Sequence, residues 1–325
     1  MSETVTGKFP SSEFGGLPPS RRLRYRLEAA GFFLVMGFFR LFSIERASTL
    51  GGWIGRNLVR PTFLSRRPLR NLRLAFPDKS DTELREILAG MWDNLGRVMA
   101  EYPHLDEIHL TGSDPRIRIS GMEHLEAAKA RGKGILLVSG HFANWETMPF
   151  AARDYGFSGG TVVRPPNNPL VSRWMEAVRA RNGMQEQIPK GAQGTRRIFS
   201  LLRKGDAICL LVDQRASEGI KVPFFGHDAF TTPAPAALAL KLGSVIVPAW
   251  NERTKGARFH LHVYPPIEPS NTGDSDRDLV ELTSKITQFV EDRVRERPSQ
   301  WLWIHKRWVK DDAPMRKRAK ALNVG

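Results

Sequence analysis

A chain of 325 residues, 41% of them hydrophobic, is long enough for one large or two modest domains with a sizeable core. Its formal net charge of +15 points to anionic partners such as nucleic acid, anionic lipid or an acidic protein. The single cysteine, Cys209, excludes an intrachain disulfide and a thiolate zinc cluster.

Residues 1–20 are rich in Ser, Gly and Pro and read as a disordered tail. Residues 21–60 read as a membrane-anchoring helical segment. From Arg21 to Arg73 there are twelve Arg against two Glu. These charges flank the uncharged run AAGFFLVMGFF, Ala29 to Phe39, which holds four Phe. Eleven residues are too few to cross a bilayer, which needs about 20. Widened to 27–44, the segment is borderline for spanning and comfortable for a helix lying in the interface. Arginines on both flanks give no orientation by the positive-inside rule. A polar stretch before the run, and no small-residue cleavage pattern after it, exclude a secretory signal. Helical patterns cover 24–42, 46–59, 66–75 and 80–101. Pro77 stops the third, and Ser80 or Asp81 caps the fourth with Glu83 close behind.

From DPRIRISG onward the chain alternates. That short strand is followed by a helix ending at Gly132, the buried strand GILLVS, a helix over 143–155 and the strand GGTVVRP. Helices over 169–182 and 193–204 precede the strand DAICLLVD. A helix over 233–242, the strand SVIVPAW, the edge strand RFHLHVY and a long helix over 276–297 complete the series. Short apolar strands alternating with helices predict an α/β fold: an α/β/α sandwich with a mostly parallel central sheet, joined to the N-terminal membrane-associated helix. Residues 61–310 form the expected catalytic domain, and 311–325 a basic tail.

In open α/β sheets, ligands bind beyond the carboxyl ends of the strands. SGHFANWE, residues 139–146, sits at such an end and offers His141 and Glu146. Five steps at about 100° each cannot place both on one helix face. If the two meet, His141 lies in the turn before a helix that carries Glu146 in its first turns. An imidazole steadied by a carboxylate suits general-base work on an attacking hydroxyl. No G-x-S-x-G elbow is present, and Cys209 lies in an apolar strand, so no enzyme nucleophile is needed. Arg164 follows a strand and is placed to stabilise an oxyanion or hold a phosphate. Asn167 is either an amide donor or a turn residue. Asp213 and Gln214 end the ICLLV strand, as site residues or as a turn with a helix cap. Phe225 and Gly226 either line a groove or belong to the core. Thr231 or Thr232 is a further candidate contact. His260 and His262 lie two apart without nearby acids, and there is no H-E-x-x-H, so no metal site is expected.

GHFANWE resembles the H-x4-D/E signature of glycerolipid-type acyltransferases, in the form found in the bacterial lipid A biosynthesis acyltransferases. The resemblance runs on through VVRPPNNPLVSRWMEAVRARNG, GTRRIFSLLRKGDAICLLVDQR and VPFFGHDAFTTPAPAALALKLGSVIVPAW to the closing WLWIHKRW. It covers roughly residues 25–310. It implies His141 as general base with Glu146 as its orienting partner. It further implies transfer of a fatty acyl chain from acyl carrier protein, or sometimes CoA, to a hydroxyl of a lipid A precursor. Arg164, Asn167, Asp213, Gln214, Phe225, Gly226 and Thr231 are then the expected substrate-binding residues. Acyl carrier protein and a membrane glycolipid are the expected partners, at the inner (cytoplasmic) membrane with the site facing the cytoplasm. No cofactor is expected beyond the acyl co-substrate. Acylation of a mannoside, an ornithine lipid or a lysophospholipid is the alternative within the class. A basic nucleic-acid-binding protein is the alternative outside it, and no nucleic-acid-binding signature supports that.

Overall fold

The computed structural model describes residues 18–183 and 186–308. Most of the expected N-terminal tail, up to residue 17, and the whole basic tail over 311–325 lie outside the described residues. The body is built on a seven-stranded sheet in the order β1-β9-β8-β2-β5-β3-β4. The strands are β1 (Ile117–Ser120), β2 (Ile135–Ser139), β3 (Gly159–Val163), β4 (Glu186–Pro189), β5 (Ala207–Leu211), β8 (Val245–Lys255) and β9 (Arg258–Val263). Pairing is parallel throughout except between β8 and β9. A separate hairpin joins β6 (Ile220–Phe224) to β7 (His227–Thr231).

Alternation along the central strands feeds two cores, one on each face. Leu136 and Val138 of β2, Ile208 and Leu210 of β5, and Ile246 of β8 enter one core. The helices α3 (Arg66–Ala75), α4 (Asp81–Glu101), α8 (Ala192–Arg203), α9 (Ala234–Leu242) and α10 (Ser275–Glu296) cover that face. Ile135, Leu137, Ala207, Cys209, Val245 and Val247 enter the other core, under α5 (Met122–Ala130) and α6 (Thr147–Asp154). Helices on both faces leave no room for polar alternation, which is why these strands read as continuous apolar runs. The α/β/α layering and the mostly parallel sheet agree with the sequence pattern.

The N-terminal helices α1 (Pro19–Arg40) and α2 (Ile44–Ile54) pack onto this body. Ala29, Met36 and Phe39 of α1 are buried. Arg40 pairs with Asp106 and Glu107, while His104 Nε2 donates to the Phe39 carbonyl. Phe32 and Phe33 meet Trp174 of α7 (Pro169–Asn182) edge to face. No helix among the described residues is long and apolar enough to cross a membrane. Among the described residues α1 lies against the body.

Two expectations need correction, and two elements go beyond the sequence pattern. The helix after SGHFANWE starts at Thr147, because Ala143 adopts a positive φ of 47° and the Asn144 side chain accepts from the Glu146 amide. β9 is not an edge strand, since β1 pairs along its outer side. β4, four residues long with one neighbour, is too short an apolar run to announce itself. The β6–β7 hairpin likewise carries no clear strand-turn-strand pattern. Its two-residue turn puts Phe225 and Gly226 at φ 53° and 73°, a type I′-like pair that lacks the usual Asn-Gly spelling.

Glycines set the contact between α2 and α4. A Cβ on Gly96 would lie 2.0 Å from the Gly51 carbonyl oxygen, and one on Gly55 would lie 2.0 Å from that of Trp92. Backbone cannot yield there as a flexible side chain would. Gly96→Ala is therefore expected to destabilise the fold by at least about 2 kcal/mol, read as a lower urea midpoint at unchanged slope.

Candidate active site

The parallel register pairs Ser139 of β2 with Leu211 of β5. Two residues past each, at the same height on the carboxyl edge, stand His141 and Asp213. His141 Nδ1 lies 2.7 Å from Asp213 Oδ1, and the His141 backbone N–H donates to Oδ2 at 2.8 Å. Trp301 Nε1 donates to the same Oδ2 at 2.8 Å. The Asp213 side chain is wholly buried. Burial alone would raise its pKa. The charge of His141, the two hydrogen bonds from it and the field of His305 outweigh burial and hold the carboxyl well below its usual range. An ionised acceptor facing Nδ1 fixes the proton on that nitrogen and leaves Nε2 with a lone pair.

Nε2 faces a cavity of about 740 Å³. Trp145, Glu146, Arg164, Arg179, Lys190, Gln214 and His305 supply polar or aromatic wall. Met148, Pro149, Ile198 and Leu211 supply apolar wall. Gln214 Nε2 stands 3.0 Å from His141 Nε2 and 2.9 Å from His305 Nε2. Burial, reinforced by the positive field of His141, Lys190 and Arg67 and opposed by Asp213, pushes His305 down to about 4. His305 is thus neutral at pH 7.

Glu146 lines the same cavity, but it is not the hydrogen-bond partner of His141. Its carboxylate accepts from Arg179 Nε at 2.9 Å and Nη2 at 2.5 Å, and from the Tyr102 hydroxyl at 3.0 Å. The turn through Ala143 sends the Glu146 side chain toward α7, away from the strand ends. Burial would lower the Arg179 pKa, but Glu146 and Tyr102 raise it further above its ordinary value. Burial, with Glu146 beside it, also raises the Tyr102 phenol well above the ordinary range.

The turn that carries His141 is tied on several sides. The Ala143 amide donates to the Gln300 carbonyl at 2.9 Å. Asn94 Nδ2 donates to the Ala143 carbonyl, and Asn251 Nδ2 to the Asn144 carbonyl. Asn144 Nδ2 donates to Glu101, whose buried carboxylate also pairs with Arg253 and accepts from Ser48. Phe142 forms a β-bridge with Trp301. These bonds tie the turn from several elements at once, although the buried Asn251 Oδ1 has no partner of its own.

The other expected site residues divide. Arg164 is exposed at the end of β3 and lines the cavity, as does Gln214. Asp213 is enclosed behind His141 and does not reach the cavity wall as a substrate contact. Asn167 is exposed and outside the lining, while its neighbour Asn168 caps α7 and donates to the Tyr25 carbonyl. Phe225 packs against Phe76, Phe224, Trp303 and Trp308. With Gly226 it borders a different groove, shared with Phe76 and Arg295. Thr231 is buried and accepts from Arg307 Nη2 at 2.6 Å, whereas Thr232 borders the cavity. Arg179 lies on an amphipathic helix and carries no separate signal, while His305 is the histidine of the closing WLWIHKRW, which the resemblance covers without assigning it a role. Burial pushes the Cys209 thiol up to about 12, so it is no nucleophile at neutral pH. No cluster of three or more metal-ligating side chains is found among the described residues.

An imidazole backed by a buried carboxylate opens on a partly apolar cavity at the sheet's carboxyl edge, an arrangement suited to taking a proton from a bound hydroxyl. The chain belongs to the bacterial lipid A biosynthesis acyltransferase family, whose sequence profile matches residues 16–310. It is 28% identical over 279 residues to the lipid A biosynthesis lauroyltransferase of Escherichia coli K12, covering 80% of this chain and 84% of that protein. It is 25% identical to a lipid A biosynthesis acyltransferase of Haemophilus influenzae, covering 84% of each chain. A phosphatidylinositol mannoside acyltransferase of Mycobacterium tuberculosis is 24% identical over 201 residues, 59% of this chain and 60% of that one.

Asp213→Asn puts an amide against Nδ1 and favours the wrong tautomer, so turnover should fall on the order of 10³–10⁴-fold in an acyl-transfer assay. The same variant has a stability signature. A carboxyl depressed in the folded state stabilises fully above its unfolded pKa, near 4, and that contribution is lost as pH falls toward the folded value. Acid denaturation should accordingly show a weaker pH dependence below about pH 4 in Asp213→Asn than in the parent.

Proposed function

We propose that this protein transfers a fatty acyl chain from an acyl carrier protein thioester to a hydroxyl of a lipid A precursor. The observation that carries the reading is the His141–Asp213 pair with Nε2 turned into the cavity. The acceptor hydroxyl gives its proton to Nε2 as its oxygen attacks the thioester carbonyl. The carbonyl electron pair moves to oxygen, and the tetrahedral intermediate collapses with cleavage of the C–S bond. The departing thiolate takes the proton from His141. Asp213 stabilises the imidazolium throughout without being protonated. Arg179, steadied by Glu146 and Tyr102 at the cavity wall, retains donors for the developing oxyanion. Glu146 in this scheme positions Arg179 rather than His141.

Arg164 and Lys190 at the wall suit the phosphates of a lipid A precursor, and the apolar wall suits an acyl chain. The overall charge of +15 suits an acidic carrier protein, by speeding encounter. Another membrane glycolipid or a lysolipid is the second reading of the acceptor. The likeness to a phosphatidylinositol mannoside acyltransferase favours keeping it. Incubation of purified protein with a panel of acyl carrier and CoA thioesters, and with lipid A precursor or mannoside, tests both by mass spectrometry. An acylated lipid A precursor is expected. His141→Ala should abolish its formation while leaving the circular dichroism spectrum unchanged, and near-parental turnover in that variant would end the mechanism.

The proposed location is the inner membrane with the site toward the cytoplasm, and α1 supplies the surface that would attach the protein to it. Leu23, Leu27, Leu34, Phe38 and Leu41 are exposed, and at 100° per residue they fall within about 60° of one another. Ala29, Met36 and Phe39 are buried on the opposite side. Arginines at 22, 24 and 26 accompany the stripe, which is the pattern of a helix lying in an anionic interface. The double substitution Leu34→Glu, Phe38→Glu should release the protein from anionic vesicles in a flotation assay. Unchanged flotation would assign membrane binding to other surfaces.

A further inference from the structure

The mechanism leaves one histidine unexplained. His305 faces His141 across the cavity, with ring centroids 5.5 Å apart. The two rings do not touch through hydrogen bonds of their own; the Gln214 amide lies between them, 3.0 Å from one Nε2 and 2.9 Å from the other. An amide NH₂ carries two hydrogens and can donate to both. The opposite orientation would set the carbonyl oxygen against the lone pair on His141 Nε2. His141 Nε2 is an acceptor because Asp213 holds the proton on Nδ1, and His305 must be an acceptor for the same amide. Its backbone is fixed independently of the cavity. Asn71 Nδ2 donates to the carbonyls of Trp303 and His305 at 2.8 Å, and Arg67 Nη1 donates to that of Ile304.

This arrangement creates a conflict during turnover. The acceptor hydroxyl needs the Nε2 lone pair of His141, which Gln214 occupies in the resting site. When the hydroxyl arrives, Gln214 must let go of His141, and its flexible side chain would be free to leave. The bond to His305 prevents that. One N–H stays on His305, and the other is released next to the attacking oxygen, where the thioester carbonyl must also lie.

We propose that His305 is a positioning residue. It holds the Gln214 amide in place after the acceptor displaces it from His141, so that the freed N–H stabilises the oxyanion. This rests on the acyl-transfer reading above and adds no proton or bond to it. His305 keeps its own protons; it serves as a fixed acceptor. Its neutral state at working pH, enforced by burial and by the charges of His141, Lys190 and Arg67, is the state this role needs.

The test is a double-mutant cycle on the full chain, with His305→Ala, His305→Gln, Gln214→Ala and the double substitution Gln214→Ala, His305→Ala. Loss of an oxyanion donor costs on the order of a hundredfold in kcat, which is the expectation for Gln214→Ala. His305→Ala should lower kcat by about tenfold or more with KM for both substrates nearly unchanged. The double variant should be no slower than Gln214→Ala, because His305 acts through that amide. His305→Gln, whose carbonyl oxygen can accept, should recover most of the loss. Additive losses, or a loss confined to KM, would overturn the proposal. A second readout does not depend on activity. In ¹⁵N-histidine spectra of the folded protein, Gln214→Ala should shift the Nε2 resonances of both His141 and His305. A shift of only one, or of neither, would refute the bridge. Absence of any transfer by the parent enzyme across the substrate panel would instead count against the acyl-transfer reading.

Discussion

The site depends on one buried carboxylate that stays charged. Removing Asp213 from water is costly, and the cost is offset only because three N–H groups converge on its two oxygens. Two come from His141 and one from Trp301, so the catalytic turn, the end of β5 and the C-terminal segment meet at one anion. The same anion decides which imidazole nitrogen is free to act. Structural closure and chemical readiness are therefore one event.

Around that anion the fold supplies precision rather than further charge. The central strands place His141 and Asp213 level because their parallel register is set by two apolar faces, each filled by helices. The buried group of Glu101, Arg253, Asn94, Asn144 and Asn251 then holds the turn from below. A second ion pair, Glu146 with Arg179, stands on the other side of the cavity and is tied to Tyr102. The two acidic systems flank one cavity and keep separate partners, Asp213 behind His141 and Glu146 against Arg179 and Tyr102.

Much of this was legible in the sequence, and the limits follow from distance along the chain. Continuous apolar runs such as ILLV and VIVPAW identify strands covered on both faces, and the carboxyl-edge rule then locates the cavity. His141 was accessible in this way. Its partner was not: Glu146 is five residues away and Asp213 is seventy-two, and only the β2–β5 register reveals that the distant acid is the near one. Phe225 and Gly226 looked like groove residues because they sit inside a motif, yet the phenyl ring belongs to an aromatic cluster that includes Trp303 and Trp308. The hairpin that carries them was hidden by Pro223 within a strand and by a turn spelled Phe-Gly. His305 stood inside the closing WLWIHKRW with no role attached, since an aromatic run announces burial and not the polar contact made by one member.

The most direct test of the central claim is the proton on His141 Nδ1. In ¹⁵N-histidine spectra at neutral pH, His141 should appear as the Nδ1–H tautomer with a strongly deshielded proton. That signal should disappear in Asp213→Asn and persist in Glu146→Gln. A signal that survives Asp213→Asn and is lost in Glu146→Gln would contradict the account.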